Sequence, residues 1–118
     1  MSHRRRVQLG PFSVGEKPLP LLMTFTDFDG NAIDLDGYTA DFVIEKIDAD
    51  EATDSDLGSG TTTIPTPASG ITQYAWHEND FQYAGRYQGQ MWVGDNTNRL
   101  ASIEFWWDVV DVTKAPDL

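Results

Sequence analysis

The sequence contains no cysteine, so neither disulfide bonds nor thiolate metal sites can contribute to the fold. It also has no run of about 18 apolar residues, the length that a membrane-spanning helix needs. Basic residues are few: 8 Lys and Arg stand against 19 Asp and Glu, a net charge of −11. Because so acidic a body repels the phosphate backbone, we expect the domain to bind neither nucleic acid nor membrane.

Sequence motifs of catalysis are missing as well. There is no Gly-x-Ser-x-Gly motif, no glycine-rich phosphate loop and no His-Glu-x-x-His pair, and the two histidines are His3 and His77. Pairs of carboxylates are too common on an acidic surface to indicate a glycosidase. The sequence therefore predicts no catalytic residue, no cofactor and no enzymatic activity.

Two acidic segments have the composition of calcium loops. The first is residues 27–36. Aligning its Gly30 with the glycine of an EF-hand loop puts Phe25 at a ligand position, so a turn between strands is favoured. The second contains Asp48, Asp50, Glu51, Asp54 and Asp56. A solvated loop is the favoured interpretation there, because like charges repel and no local pattern makes them converge. No metal site is predicted.

Hydrophobic and polar residues alternate with period two in several short segments, the pattern of half-buried strands. The predicted strands are 19–28, 38–45, 61–64, 71–76, 87–93 and 99–110. Glycine-containing turns separate them, and no long helical pattern occurs, so an all-β sandwich is predicted. The residues expected to be mostly buried are Phe25, Phe42, Ile44, Tyr74, Trp76, Tyr87, Met91 and Ile103.

The segment from Asp80 to Tyr87 refines this prediction. Its pattern, Asp-x-x-x-Ala-Gly-x-Tyr before an alternating strand, is typical of the tyrosine corner of immunoglobulin-like sandwiches. Tyr87 is the predicted corner tyrosine, with a short helical turn over 77–83. Gly89 occupies the position of the second cysteine of an antibody domain, so packing alone must hold this core. We predict an antiparallel immunoglobulin-like β-sandwich of about seven strands.

The tryptophans are the candidate binding residues. Trp106 and Trp107 are adjacent on a strand, so they face opposite sides and one of them points away from the core. Trp92 shares a face with Arg86 and two glutamines. An exposed tryptophan suits stacking on a sugar or a protein interface equally well, and both alternatives stay open at this point.

A family resemblance extends over most of residues 15–110. The order G-x-x-P-L-P-L-x-x-T-x-x-D-x-D-G-x-x-I-D-L-x-G-Y-T-A-x-F-x-I, from Gly15 to Ile44, resembles the N-terminal immunoglobulin-like domain of phage baseplate upper proteins and related virion proteins. The similarity continues through residues 70–76, Asp80 and 85–87. The resemblance implies a small stand-alone virion protein on the head, neck or tail.

These observations lead to one functional expectation with one alternative. We expect a non-enzymatic virion structural protein, such as a capsid decoration or minor capsid protein or a tail or baseplate accessory, which docks on major capsid, neck or tail subunits or on a second copy of itself. The alternative is a carbohydrate-binding module that aids host adsorption. The expected domains are an N-terminal arm (1–18), the sandwich (19–112) and a C-terminal tail (113–118). The expected partner-binding residues are Arg4, Arg5, Arg6, Trp92, Trp106 and Trp107.

Overall fold

The computed structural model of the chain describes residues 6–48 and 57–111. Within these ranges it has eight strands: β1 (Arg6–Gln8), β2 (Phe12–Ser13), β3 (Leu21–Thr24), β4 (Thr39–Asp48), β5 (Thr61–Thr66), β6 (Ile71–Ala75), β7 (Gly85–Gly94) and β8 (Arg99–Val110). Two single-turn 3-10 helices, Pro67–Ser69 and Glu78–Phe81, connect strands. No helix in the described part of the chain is long and apolar enough to cross a membrane.

The strands form two packed sheets. Sheet A has the order β1-β8-β7-β4, with β2 also paired to β8, and sheet B has the order β3-β6-β5. An immunoglobulin sandwich places its strands C, F and G in one sheet and B, E and D in the other, which matches β4, β7, β8 and β3, β6, β5. β1 and β2 follow one another along the same edge of β8 and together occupy one strand position, so the eight strands fill seven positions. The predicted sandwich of about seven strands is therefore confirmed. Only β1 and β2 pair parallel to their neighbour within the described sheets.

The N-terminal segment corrects the predicted domain boundary. Residues 1–18 were expected to form an arm, but Arg6–Gln8 and Phe12–Ser13 pair with β8 as part of sheet A. The Phe12 ring packs against Phe81, with ring centroids 5.0 Å apart. The described part of this segment therefore belongs to the sandwich, because its half-buried apolar residues pack against the core. Residues 1–5 and 112–118, which include the predicted tail, lie outside the described ranges.

The predicted core is confirmed in most of its members. Six of the residues named above are buried: Phe25, Phe42, Ile44, Tyr74, Tyr87 and Met91. Trp76 and Ile103 are only partly buried, although both pack against this core. The partial exposure of Ile103 follows from a bulge in β8. Gln90 pairs with Glu104 but Trp92 pairs with Ala101, so the alternation of β8 is interrupted at this position. Leu35, Phe81, Val93, Phe105, Trp107 and Val109 complete the buried hydrophobic set.

Aromatic rings fill the centre of the sandwich. Phe42 lies between the sheets, with its ring centroid 4.7 Å from that of Tyr74 and 6.4 Å from that of Trp107. Gly89 makes this arrangement possible, because a Cβ atom there would lie 2.7 Å from the Phe42 ring and 2.9 Å from the Trp107 ring. The position that holds a disulfide in an antibody domain is thus occupied by aromatic packing.

The tyrosine corner is present as predicted. The Tyr87 hydroxyl donates a hydrogen bond of 2.7 Å to the backbone oxygen of Tyr83. The preceding 3-10 helix, Glu78–Phe81, lies inside the segment expected to form a helical turn. This bond joins the start of β7 to the connection that crosses from sheet B to sheet A, and so positions β7, the central strand of the candidate site.

Candidate functional site

The outer face of sheet A is the candidate site. Alternation along the paired strands brings these side chains to the face: Arg6, Gln8, Thr39, Asp41, Val43, Glu45, Asp48, Arg86, Gln88, Gln90, Trp92, Arg99, Ala101, Glu104, Trp106 and Asp108. The strand register sets them in rows, since Val43 pairs with Gln90 and Gln90 pairs with Glu104. Such a face combines two tryptophans with amides, carboxylates and guanidinium groups, a composition suited to binding.

Trp92 is half-buried and lines two depressions of this face. It borders an open depression of about 590 Å³ that also includes Thr39, Asp41 and Asp95. On its other side lies a second depression of about 370 Å³, lined by Val43, Gln90 and other residues of the face. A side chain that separates two depressions can be contacted from both, which makes Trp92 the natural centre of an interface.

Trp106 lies on the same face but is covered. The guanidinium of Arg86 lies over its ring, 4.7 Å from the centroid, in a cation–π arrangement. Arg86 is held there by two hydrogen bonds to Asp108, of 2.8 Å and 3.2 Å. The bonds from Arg86 lower the pKa of the Asp108 carboxyl below its ordinary value. A partner therefore meets an arginine that is stacked on Trp106 rather than the open ring of this tryptophan.

Two neighbouring side chains on the face are also held in place. Gln88 donates a hydrogen bond of 3.1 Å to Glu45. Gln90 donates one of 2.7 Å to the backbone oxygen of Ser102. Because both amides are engaged, the surface beside Trp92 is ordered before any partner arrives, which reduces the entropy lost on binding.

The predicted partner-binding residues lie in different parts of the structure. Trp92, Trp106 and Arg6 share the outer face, and Arg6 forms an ion pair of 3.2 Å with Glu104. Arg4 and Arg5 lie outside the described residues. The prediction for Trp107 is wrong, because its side chain is 0% exposed and fills the core between Phe42, Trp76 and Tyr87. Sequence alternation required one of the adjacent pair to point outwards, and the structure assigns that place to Trp106.

The outer face is acidic. Its five carboxylates are those of Asp41, Glu45, Asp48, Glu104 and Asp108, and they exceed its three guanidinium groups. Arg6 and Arg86 form ion pairs within the face, and Arg99 lines the depression beside Trp92. Such a potential favours a partner with basic groups and disfavours an anionic one. Electrostatic attraction of this kind chiefly raises the association rate and makes binding sensitive to salt.

The first acidic segment forms a turn, as expected. Asp27 accepts hydrogen bonds of 2.9 Å from the backbone N–H groups of Asp29 and Asn31, so its carboxylate stabilises the turn. No group of three or more potential metal ligands occurs among residues 6–48 and 57–111. Of the second acidic segment only Asp48 lies inside these ranges, so the structure describes no loop site there.

Two titratable residues that sequence analysis did not assign to a site have structural roles. His77 accepts a hydrogen bond of 3.1 Å from the backbone of Asn79 through Nδ1 and caps the 3-10 helix. Asp80 is 1% exposed and its carboxylate accepts hydrogen bonds from the Tyr74 hydroxyl (2.7 Å), the His77 N–H (3.0 Å) and the Gly58 N–H (2.9 Å). Alternation could not reveal this network, because its partners meet only when the 3-10 helix packs beside β6.

The raised pKa values of two buried tyrosines lead us to expect that the folded protein loses stability in alkali. Burial, with the hydrogen bond to Asp80, raises the pKa of Tyr74, and burial also raises the pKa of Tyr87. Unfolded tyrosine loses its proton near pH 10, so above that pH the unfolded state binds fewer protons and stability falls as pH rises. We expect a constant melting temperature between about pH 7 and 9 and a steep decline above about pH 10.

Thermal unfolding followed by circular dichroism across this range tests the expectation. The variant Tyr74→Phe should be less stable at neutral pH but should decline less steeply in alkali, while Tyr38→Phe, outside the buried network, should retain the steep decline. Equal slopes in the wild type and in Tyr74→Phe would contradict the assignment to Tyr74.

Comparison with models of known protein families finds no match to this chain, and comparison with curated proteins finds none either.

Proposed function

We propose that this protein is a non-enzymatic structural protein of a bacteriophage virion that docks on another virion protein through the outer face of sheet A. The observation that carries the docking surface is the position of Trp92, which is half-buried and lines two depressions on an ordered and acidic face. The resemblance of residues 15–44 to phage virion domains supports the setting. In this setting the protein partner is a capsid, neck or tail subunit.

The use of the titratable residues supports a binding role over a catalytic one. Asp80 and His77 are engaged in holding the 3-10 helix, and Arg86 and Asp108 hold each other on the surface. A general base must reach a proton of the substrate from a concave site. The depressions beside Trp92 are open and lined by amides, carboxylates and apolar groups, which suit contact with a macromolecule.

A second candidate function is carbohydrate binding, and one observation favours it. An open tryptophan beside glutamine and carboxylate side chains provides a stacking surface with hydrogen-bonding groups, as Trp92, Gln90 and Asp41 do here. The coverage of Trp106 by Arg86 counts against a longer stacking platform, since only one ring stays accessible to successive sugar units. We therefore place the protein partner first.

Replacing Trp92 with alanine should weaken docking most strongly among variants of this face. A central aromatic contact contributes about 2 kcal/mol or more, which corresponds to a loss of about 30-fold in affinity. Trp106→Ala should have a smaller effect, because Arg86 already separates that ring from a partner. The measurement is the binding of purified variants to particles that lack this protein, in low and high salt.

Leu22→Ala is the matched control, because Leu22 is an exposed apolar residue on sheet B. Equal binding by the wild type, Trp92→Ala and Leu22→Ala would show that docking does not use the outer face of sheet A. Absence of wild-type binding to these particles would contradict the virion role. Saturable binding of a neutral oligosaccharide that depends on Trp92 would favour the second candidate instead.

A further inference from the structure

One aromatic side chain lies completely in solvent. Phe28 has a relative exposure of 111%, the highest of the large hydrophobic residues in the described part of the chain. It occupies the apex of the turn from Asp27 to Asn31, between β3 and β4. Full exposure of a ring of this size forgoes the largest stabilisation that burial of a side chain provides, so a position at the tip of a turn is an unusual place for phenylalanine.

The turn holds Phe28 in a defined place. The Asp27 N–H donates to the Asn31 carbonyl oxygen at 2.8 Å, and the Gly30 N–H donates to the Asp27 oxygen at 3.1 Å. The Asp27 carboxylate accepts two further backbone N–H groups. Gly30 has φ +86°, a conformation that other residues rarely adopt. Because the turn is closed by its own hydrogen bonds, its backbone is already ordered, and binding costs mainly the rotamer freedom of the ring.

The turn belongs to one end of the sandwich, which we name the loop end and define as residues 25–38, 67–70 and 95–98. Hydrogen bonds connect its segments: the Phe25 N–H donates to Gly70 O at 2.8 Å, and the Leu35 N–H donates to Pro67 O at 2.9 Å. Asp95 and Gly37 also line the depression beside Trp92. The loop end therefore continues the outer face of sheet A.

Aspartates flank Phe28 in the chain and recur in the loop end. Asp27 and Asp29 are its immediate neighbours, and the loop end contains three further aspartates, Asp34, Asp36 and Asp95. Burying an aromatic ring in a partner brings these charges against the rim of the pocket that receives it. A rim of lysine or arginine would attract them, whereas a membrane with anionic lipids would repel them.

We propose that Phe28 is a second docking anchor, which inserts into an apolar pocket rimmed by lysine or arginine on the virion protein that carries this domain. The proposal rests on the proposed function, and it adds a contact at the loop end to the contact at Trp92. Phe28 supplies the buried apolar area, and Asp27 and Asp29 supply the charge complementarity. The partner is thus a protein with a preformed basic-rimmed pocket.

The test uses the full chain and particles that lack it. Phe28→Ala should weaken binding by about 30-fold, the loss expected for a central anchor, with an unchanged melting temperature because the ring makes no core contact. Leu19→Ala removes another exposed apolar side chain, from the segment that precedes β3, and should bind like the wild type. Asp27→Asn with Asp29→Asn retains oxygen acceptors for the turn and should reduce the salt dependence of binding.

Photo-crosslinking from p-benzoylphenylalanine at position 28 identifies the contact directly. A crosslink to a virion protein, within a pocket bordered by lysine or arginine, supports the proposal. A crosslink to another copy of this chain, or Phe28-dependent binding to vesicles of phosphatidylcholine and phosphatidylglycerol, would overturn it. Wild-type binding that Phe28→Ala retains in full would overturn it while leaving the proposed function standing. Absence of any wild-type binding would remove both.

Discussion

Replacing Phe42 with alanine is expected to lower the free energy of unfolding by about 3–5 kcal/mol. The ring is 1% exposed and packs against aromatic residues of both sheets, among them Tyr74 and Trp107. Its removal leaves a cavity between the sheets that the surrounding close-packed side chains can fill only in part. Equilibrium unfolding in urea measures the change.

Val43→Ala is the matched control for Phe42→Ala. Val43 is the next residue on β4, points to the outer face and is 41% exposed, so its truncation should cost less than about 1 kcal/mol. Phe42→Leu should fall between the two variants, since it retains part of the apolar volume. Similar losses for Phe42→Ala and Val43→Ala would show that the ring does not occupy the centre of the core.

The second large effect is expected at Asp80. Alanine at this position removes the acceptor of the Tyr74 hydroxyl and of the His77 and Gly58 N–H groups. A buried donor left without a partner costs about 1–3 kcal/mol, so the three together predict a loss of about 3 kcal/mol or more. Asp80→Asn should also destabilise, because its NH₂ group replaces an acceptor with a donor in a site that supplies donors.

Urea unfolding of Asp80→Ala and Asp80→Asn tests this expectation against Glu78→Gln, a conservative change at an exposed acidic residue of the same 3-10 helix. Hydrogen exchange should report faster opening at Gly58 and Gly60, because the network also includes the bond from the Gly60 N–H to the Tyr74 hydroxyl. Near-wild-type stability in Asp80→Asn would indicate that the carboxylate is not required as an acceptor.

Local patterns in the sequence were sufficient for strand positions and for the faces of most strands. In β4, Phe42 and Ile44 alternate with Asp41 and Glu45, and a strand with one buried face can satisfy this pattern in only one way. Tyr87 was identified in the same manner, since the tyrosine corner is a contact over four residues. The placement of Trp92 on the outer face also followed from its polar neighbours on that face, Gln88 and Gln90.

Contacts between distant segments could not be predicted in this way. Residues 6–13 have no clear alternation, and their strand character comes from pairing with β8, which supplies the hydrogen-bonding partners. The coverage of Trp106 by Arg86 depends on the pairing of β7 with β8, because the two residues lie 20 positions apart in the chain. A bulge in β8 likewise altered the burial of Ile103.

The sequence by itself determined the all-β class, the six strands β3 to β8, the turns between them and the division of most side chains between core and surface. These features depend on periodicity and on residue preferences within a few positions, and both can be read from the sequence before the chain folds. Only the tertiary structure decided that Trp107 is core and Trp106 surface, that Asp80 serves a buried network, and that the loop end borders the depression beside Trp92. Each of these three placements depends on which faces of the two sheets pack together, and only the assembled sandwich sets that arrangement.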